Sequence, residues 1–110
     1  MSEEVSYKDF KKLDIRIGTV TEVTRVQGSD KLYRLQVDMG DHTRQILTSL
    51  VDYYTAEELQ GLRIPVVCNL KPAKMFGETS NGMLLAAETN EGELALLTTD
   101  RPIANGAKVT

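Results

Sequence analysis

The side chains best placed to do chemistry lie together in "NLKPAKMFGETSNGM", residues 69–83. Lys71 and Lys74 follow an apolar run, Met75 and Phe76 make an apolar tip, and Ser80-Asn81-Gly82 form a small polar turn. Lysines neutralise phosphates, an aromatic or apolar side chain stacks on a base, and serine and asparagine supply hydrogen bonds; together these would cradle a nucleic acid. The competing reading is two solvated lysines on a loop whose tip folds back onto the protein. On residue chemistry alone both stand.

Other chemistry is poorly supplied. The one cysteine, Cys68, sits inside an apolar run and reads as a small core residue. The one histidine, His42, falls in an expected turn and reads as a solvated loop residue, on a different element from Cys68. No serine–histidine–acid arrangement and no phosphate-loop or dinucleotide motif is present, so no catalytic residue is assigned and a non-enzymatic protein is expected. One cysteine excludes an internal disulfide and a cysteine cage, and one histidine argues against a histidine-based zinc site. No metal and no cofactor is expected.

A length of 110 residues suits one domain spanning 1–110, with 1–9 as a flexible N-terminal segment. The apolar fraction of 41% and the charged fraction of 26% are those of an ordinary globular chain. Apolar runs such as "MLLAA" are too short to span a bilayer, and "MSEEVSYKDF" lacks the regions of a signal peptide, so a cytoplasmic protein with no membrane partner is expected. The net charge of −3 speaks against a nucleic-acid partner only weakly, because the charge is segregated. Residues 61–80 carry Arg63, Lys71 and Lys74 against Glu78 alone, whereas 84–100 carry Glu88, Glu91, Glu93 and Asp100 with no cation.

The elements that must position residues 69–83 are mostly strands. "SYKDFKKLD" suits a short helix capped by Ser6. Residues 14–26 are rich in isoleucine, valine and threonine, and their apolar parity slips after Gly18, which predicts a bulge in a long bent strand. Tyr33, Leu35, Val37 and Met39 alternate cleanly as a second strand, and a third runs near Arg44–Ser49. Thr55 followed by Glu58 forms a capping box for a short helix that Gly61 ends. "IPVVCNL" (64–70), "GMLLAAE" (82–88) and "ELALLTT" (93–99) read as further strands. The order is that of an all-β OB-fold barrel of Greek-key type, with a short helix between strands three and four, a short N-terminal helix and additional C-terminal strands.

With these elements in place, "FKKLDIRIGTV", "DKLYRLQVDMG", "TAEELQGLRIPVVCNLKPAKMFGETSNGMLLAA" and "GAKVT" together resemble the structure-specific tRNA-binding domain. That domain occurs as a free-standing tRNA-binding protein, as the C-terminal appendage of methionyl-tRNA synthetases, and in a tyrosyl-tRNA synthetase and cytokine-like branch. The resemblance implies an OB barrel that binds tRNA without catalysis and reads the shape of the elbow, not the anticodon. By motif, Asn69, Lys71, Lys74, Ser80 and Met83 would contact the RNA, with Lys31 and Arg44 as further contacts. It also implies a homodimer with the C-terminal region in the interface, and a methionyl-tRNA synthetase as protein partner; the length fits a free-standing, trans-acting arrangement. A secretion-type peptide-binding chaperone shares the fold and is the alternative. Two departures stand out. Where the family often has His-Pro before Asp-Lys-Leu this chain reads "VQGSDKL", and where it commonly has Ser-Gly after the third strand this chain reads "LTSL".

Overall fold

The computed structural model describes residues 3–110; Met1 and Ser2, the start of the segment expected to be flexible, lie outside the described residues. Strand β1 (Ile15–Arg25) organises everything else because it pairs on both sides in turn. Its first half runs antiparallel to β4 (Arg63–Val67), from Ile15 opposite Val67 to Thr19 opposite Arg63. Its second half runs antiparallel to β2 (Tyr33–Asp38), from Thr19 opposite Asp38 to Arg25 opposite Tyr33. The register shifts between Val20 and Glu22, so the bulge lies at Thr21, three residues beyond the expected site. Gly18 breaks parity for a different reason: a Cβ there would come within 2.6 Å of Met39 Sδ and Val37 Cγ1. The glycine admits a close crossing of β2, and the extra residue bends the strand just after it.

Strand β3 (Thr43–Thr48) completes an antiparallel meander with β2, and β7 (Met83–Leu84) pairs with β4. The five-stranded sheet therefore runs β3-β2-β1-β4-β7 and curls until β7 lies beside β3. This is an OB-like all-β fold, as the sequence implies. Helix α2 (Ala56–Leu59) stands between β3 and β4, and its capping box is formed as expected: Glu58 N–H donates to Thr55 Oγ1 at 3.1 Å and Thr55 N–H donates to Glu58 Oε1 at 2.8 Å. The helix delivers Leu59, fully buried, into the core beside Leu35, Val37, Ile46, Ile64 and Val66. Truncating a leucine at such a position costs about 2–5 kcal/mol.

Helix α1 (Tyr7–Phe10) begins at Ser6, whose hydroxyl accepts from Asp9 N–H. At the other end of the chain, residues 106–109 run along β1, with Ile17 N–H donating to Ala107 O at 2.9 Å and Val109 N–H to Ile15 O at 2.8 Å. They cover the stretch of β1 edge that β2 leaves unpaired. The region expected as one strand over 82–88 is split. Met83 and Leu84 stay in the barrel, and β8 (Ala86–Glu88) leaves it to pair with β9 (Leu94–Leu96). A second separate hairpin, β5 (Ala73–Met75) with β6 (Glu78–Ser80), occupies what the sequence suggests is only a loop.

Candidate nucleic-acid interface

The β5–β6 hairpin lies on the outer face of β2 and β3. Along β2 the residues between the core positions point outward, and Arg34 is one of them. Its guanidinium grips both carboxylate oxygens of Glu78, Nε to Oε1 at 2.5 Å and Nη2 to Oε2 at 2.7 Å, and Nη1 donates to Thr24 Oγ1 at 2.6 Å. The pair is partly buried, with side-chain exposures of 29% and 24%. The Arg34 guanidinium holds the Glu78 carboxyl below the usual glutamate value, and Glu78 in return raises Arg34. Beside this clamp, Gln45 Nε2 donates to Thr79 O at 3.0 Å and Asn81 N–H donates to Gln45 O at 2.8 Å. Met75 supplies the apolar anchor by packing on Val26, Leu32 and Leu47.

The clamp fixes which charges the hairpin shows. Glu78, its one acid, is neutralised by Arg34 from the barrel. Lys71 and Lys74 are exposed, and neither side chain takes part in an ion pair among the described residues. Met75 points to the barrel, so Lys74, its neighbour on an extended strand, points away. The tip divides: Met75 folds back onto the barrel, and Phe76 stays 60% exposed.

The other expected contact residues divide by how much of their bonding capacity the fold already uses. Ser80 is buried at 4% exposure; its hydroxyl accepts from Leu47 N–H at 3.0 Å and donates to Gly82 O at 3.1 Å. Asn69 is exposed, yet its side chain ties the N-terminal segment to the end of β4: Oδ1 accepts from Asp14 N–H at 2.9 Å and Nδ2 donates to Lys12 O at 2.6 Å. Arg44 stands under the base of the hairpin, where Nη1 donates to Cys68 O at 3.1 Å and to Asn81 O at 3.0 Å. Its Nε donates to His42 Nε2 at 3.0 Å, and the His42 Nδ1 lies 2.6 Å from Asp41 Oδ1. His42 is thus engaged, not merely solvated, and its bond holds the Asp41 carboxyl below the ordinary aspartate value. Met83 is half exposed in β7, while Leu84 beside it turns into the core. Gly82 allows that step. Its φ is +144°, and a Cβ there would press within 3.1 Å of Val66 Cγ1 and Val67 O.

Six of the seven candidates therefore gather on the hairpin or at its base. Lys31 stands apart: its ammonium pairs with Asp52, whose hydrogen bond raises the lysine's pKa. Cys68 is buried as the sequence suggests, and burial pushes its thiol up. Arg34 and Glu78 are the residues that sequence reasoning missed. Their spacing of 44 positions leaves no local signal.

A hairpin fixed across the meander of an OB-like barrel, beside the turn joining its first two strands, places the chain in the class of small OB-like barrels. The chain belongs to the family whose model is described as "Putative tRNA binding domain", matched over residues 15–108. It is 46% identical to the methionine–tRNA ligase of Methanocaldococcus jannaschii over 107 residues, 97% of this chain and 16% of that protein. It is 48% identical to that of Archaeoglobus fulgidus over 107 residues, again 97% of this chain and 16% of that protein. The chain spans about a sixth of the length of these relatives. Among solved structures, a MetRS related protein from Pyrococcus horikoshii matches with a TM-score of 0.94 and 35% identity, over 99% of this chain and 100% of that one. The chaperone CsaA of Bacillus anthracis matches with a TM-score of 0.88 and 29% identity, over 98% and 100%.

Proposed function

We propose that this chain is a non-catalytic tRNA-binding module, with Lys71 and Lys74 as its phosphate contacts. The observation that carries the reading is the charge arrangement of the β5–β6 hairpin. Its acid is consumed by Arg34, and Lys74 on β5 and Lys71 three residues before it face solvent with no ion-pair partner among the described residues. Such cations neutralise phosphates wherever the backbone passes, which supports reading of shape over sequence. Met83 offers an apolar contact beside them. Ser80 and Arg44 serve the site by fixing the hairpin and its base, Asn69 ties the N-terminal segment beside the end of β4, and Lys31 is an outlying contact that must exchange Asp52 for a phosphate. The chain acts as one domain over 1–110 in the cytoplasm, alone or with a methionyl-tRNA synthetase.

The module works as a homodimer in this reading. Val5, Tyr7, Phe10 and Leu13 leave large apolar surface exposed, and Tyr7, Phe10, Leu13 and Val109 line a groove of about 270 Å³ where α1 meets the C-terminal segment. Two linked sites on one RNA gain effective concentration. Light scattering at micromolar concentration tests this; a mass near 12.2 kDa, that of one chain, overturns it.

Titration against several unrelated tRNAs and a duplex DNA of equal length tests the main proposal. Comparable affinity for the tRNAs and weak affinity for the duplex is expected; a hundredfold preference for one anticodon overturns recognition by shape. The likeness to the CsaA chaperone favours one second reading, a peptide-binding chaperone. An unfolded client peptide in the same titration separates the two.

A further inference from the structure

A two-residue turn joins Met75 to Glu78, and both of its central residues have positive φ, 53° at Phe76 and 78° at Gly77. Turns of this kind favour Asn-Gly or Asp-Gly, because a side chain in the left-handed region crowds its own backbone. Phe76 is the one non-glycine residue with positive φ among the described residues. A bulky aromatic is a poor choice there, and the fold makes little use of the ring. Met75 is the residue that packs on Val26, Leu32 and Leu47, while Phe76 remains 60% exposed. An edge of the ring faces the turn at Gly28, where an added Cβ would lie 3.6 Å from Phe76 Cδ1. That is ordinary contact at the ring's edge. A strained backbone that holds out an exposed aromatic, on the same hairpin as Lys74 and five residues from Lys71, neither of them ion-paired among the described residues, points to a ligand.

We propose that Phe76 is a base-stacking contact that takes the face of an unpaired or helix-terminal RNA base. This rests on the tRNA-binding reading and adds which part of the RNA the hairpin tip meets. Inside a continuous duplex every base face is covered by its neighbours, so a ring can stack only where the helix ends or a base is unpaired. Lys71 and Lys74 then hold the flanking phosphates while Phe76 takes the base.

The chain contains no tryptophan, so Phe76→Trp introduces a single reporter at the tip. Titrating that variant with tRNA should quench its emission in step with binding, and a long fully paired RNA duplex, which exposes base faces only at its two ends, should quench far less at equal nucleotide concentration. Phe76→Asn should melt no lower than the parent, because asparagine tolerates the left-handed region. It should bind tRNA roughly 5- to 100-fold more weakly, with the same salt dependence. Phe76→Tyr, which keeps the ring, should bind more tightly than Phe76→Leu. The proposal is overturned if Phe76→Trp binds tRNA with unaltered emission, or if Phe76→Asn or Phe76→Leu binds as tightly as the parent. It is overturned as well if Phe76→Asn melts well below the parent, since the ring would then serve the fold. A parent chain that binds no tRNA fails before any variant is made and removes the underlying reading too.

Discussion

The β5–β6 and β8–β9 hairpins are built alike, from strands of three residues paired only with each other, and they are attached to the barrel in different ways. β8–β9 is attached mainly by apolar packing. Leu94 and Leu96 lie against the core, and Leu96 N–H donates to Tyr54 Oη at 3.0 Å. Its turn is relaxed, with glycine at the positive-φ position (Gly92, φ 90°) and Thr89 N–H bonded to Glu93 O at 2.9 Å. Its exposed charges, Glu88, Glu91 and Glu93, are all acidic. β5–β6 is attached by directed polar bonds from Arg34, Gln45 and Leu47, with Met75 as its apolar anchor, and it keeps a strained phenylalanine at its tip. Apolar packing covers a surface without fixing orientation closely. Directed bonds fix orientation, which a hairpin needs if it is to present cations at set positions. In the proposed reading one hairpin is a cover and the other a display.

The largest effect that could break this contrast is on RNA affinity. Each lysine–phosphate contact is worth about 1.5 kcal/mol or more, roughly tenfold. Lys71→Glu with Lys74→Glu should weaken every tRNA by about a hundredfold or more and lower the salt dependence by roughly one counterion per lost contact. Glu88→Gln, Glu91→Gln and Glu93→Gln together should change affinity by no more than about threefold, because exposed charges off the contact are screened over about 10 Å at 0.1 M salt. Filter binding across a salt series checks both. Equal effects from the two sets would show that only net charge matters and that the hairpin displays nothing.

The barrel itself was legible because its signals are local. The alternation of Tyr33 to Met39, the Thr55–Glu58 capping box and the β-branched run of β1 each specify an element without reference to the rest of the chain. The candidate site was legible in its cations, which need only be exposed. The β5–β6 strands escaped notice because they are too short to show a period, and Phe-Gly is not a recognised turn pair. Ser80 shows the deeper limit. Its type suggests a hydrogen bond to a ligand, but its partners, Leu47 N–H and Gly82 O, are set by how the hairpin lies across β3. A residue type states what bonds a side chain can make, and tertiary packing decides with whom.

That placement makes Ser80→Ala the second test. Removing the hydroxyl strands the Leu47 N–H in a buried setting, at a cost of about 1–3 kcal/mol. The variant should therefore melt several degrees below the parent, since 1 kcal/mol shifts the midpoint of a domain this size by about 4–8 °C. The matching change in the other hairpin is Thr89→Ala, where the hydroxyl accepts from Glu93 N–H at 3.1 Å in an exposed turn. Water replaces that bond, and the change should stay within about 0.5 kcal/mol. Thermal denaturation of the two variants decides it. A Ser80→Ala chain that melts like the parent and loses only affinity would return the hydroxyl to direct RNA contact.

The smallest effect is a pH dependence confined to one hairpin. Arg34 holds the Glu78 carboxyl below its ordinary value of 4.5, so the folded state favours the carboxylate. A group with a depressed folded pKa stabilises fully above its unfolded value and loses that contribution as pH falls through the folded one. The clamp should therefore be intact at neutral pH and loosen only below about 4.5, once protonation leaves Arg34 facing a neutral acid. NMR should show cross-strand contacts between Lys74 and Thr79 weakening in that acidic window, while those between Ala87 and Ala95 persist. Glu78→Gln should already show the weakened hairpin at pH 7 and no further change on acidification. If both hairpins loosen together, the barrel is unfolding as a whole and the clamp has no separate role. If neither does, Met75 and the bonds from Gln45 and Leu47 suffice to hold the hairpin, and Arg34 acts only to cancel a charge that would otherwise repel RNA.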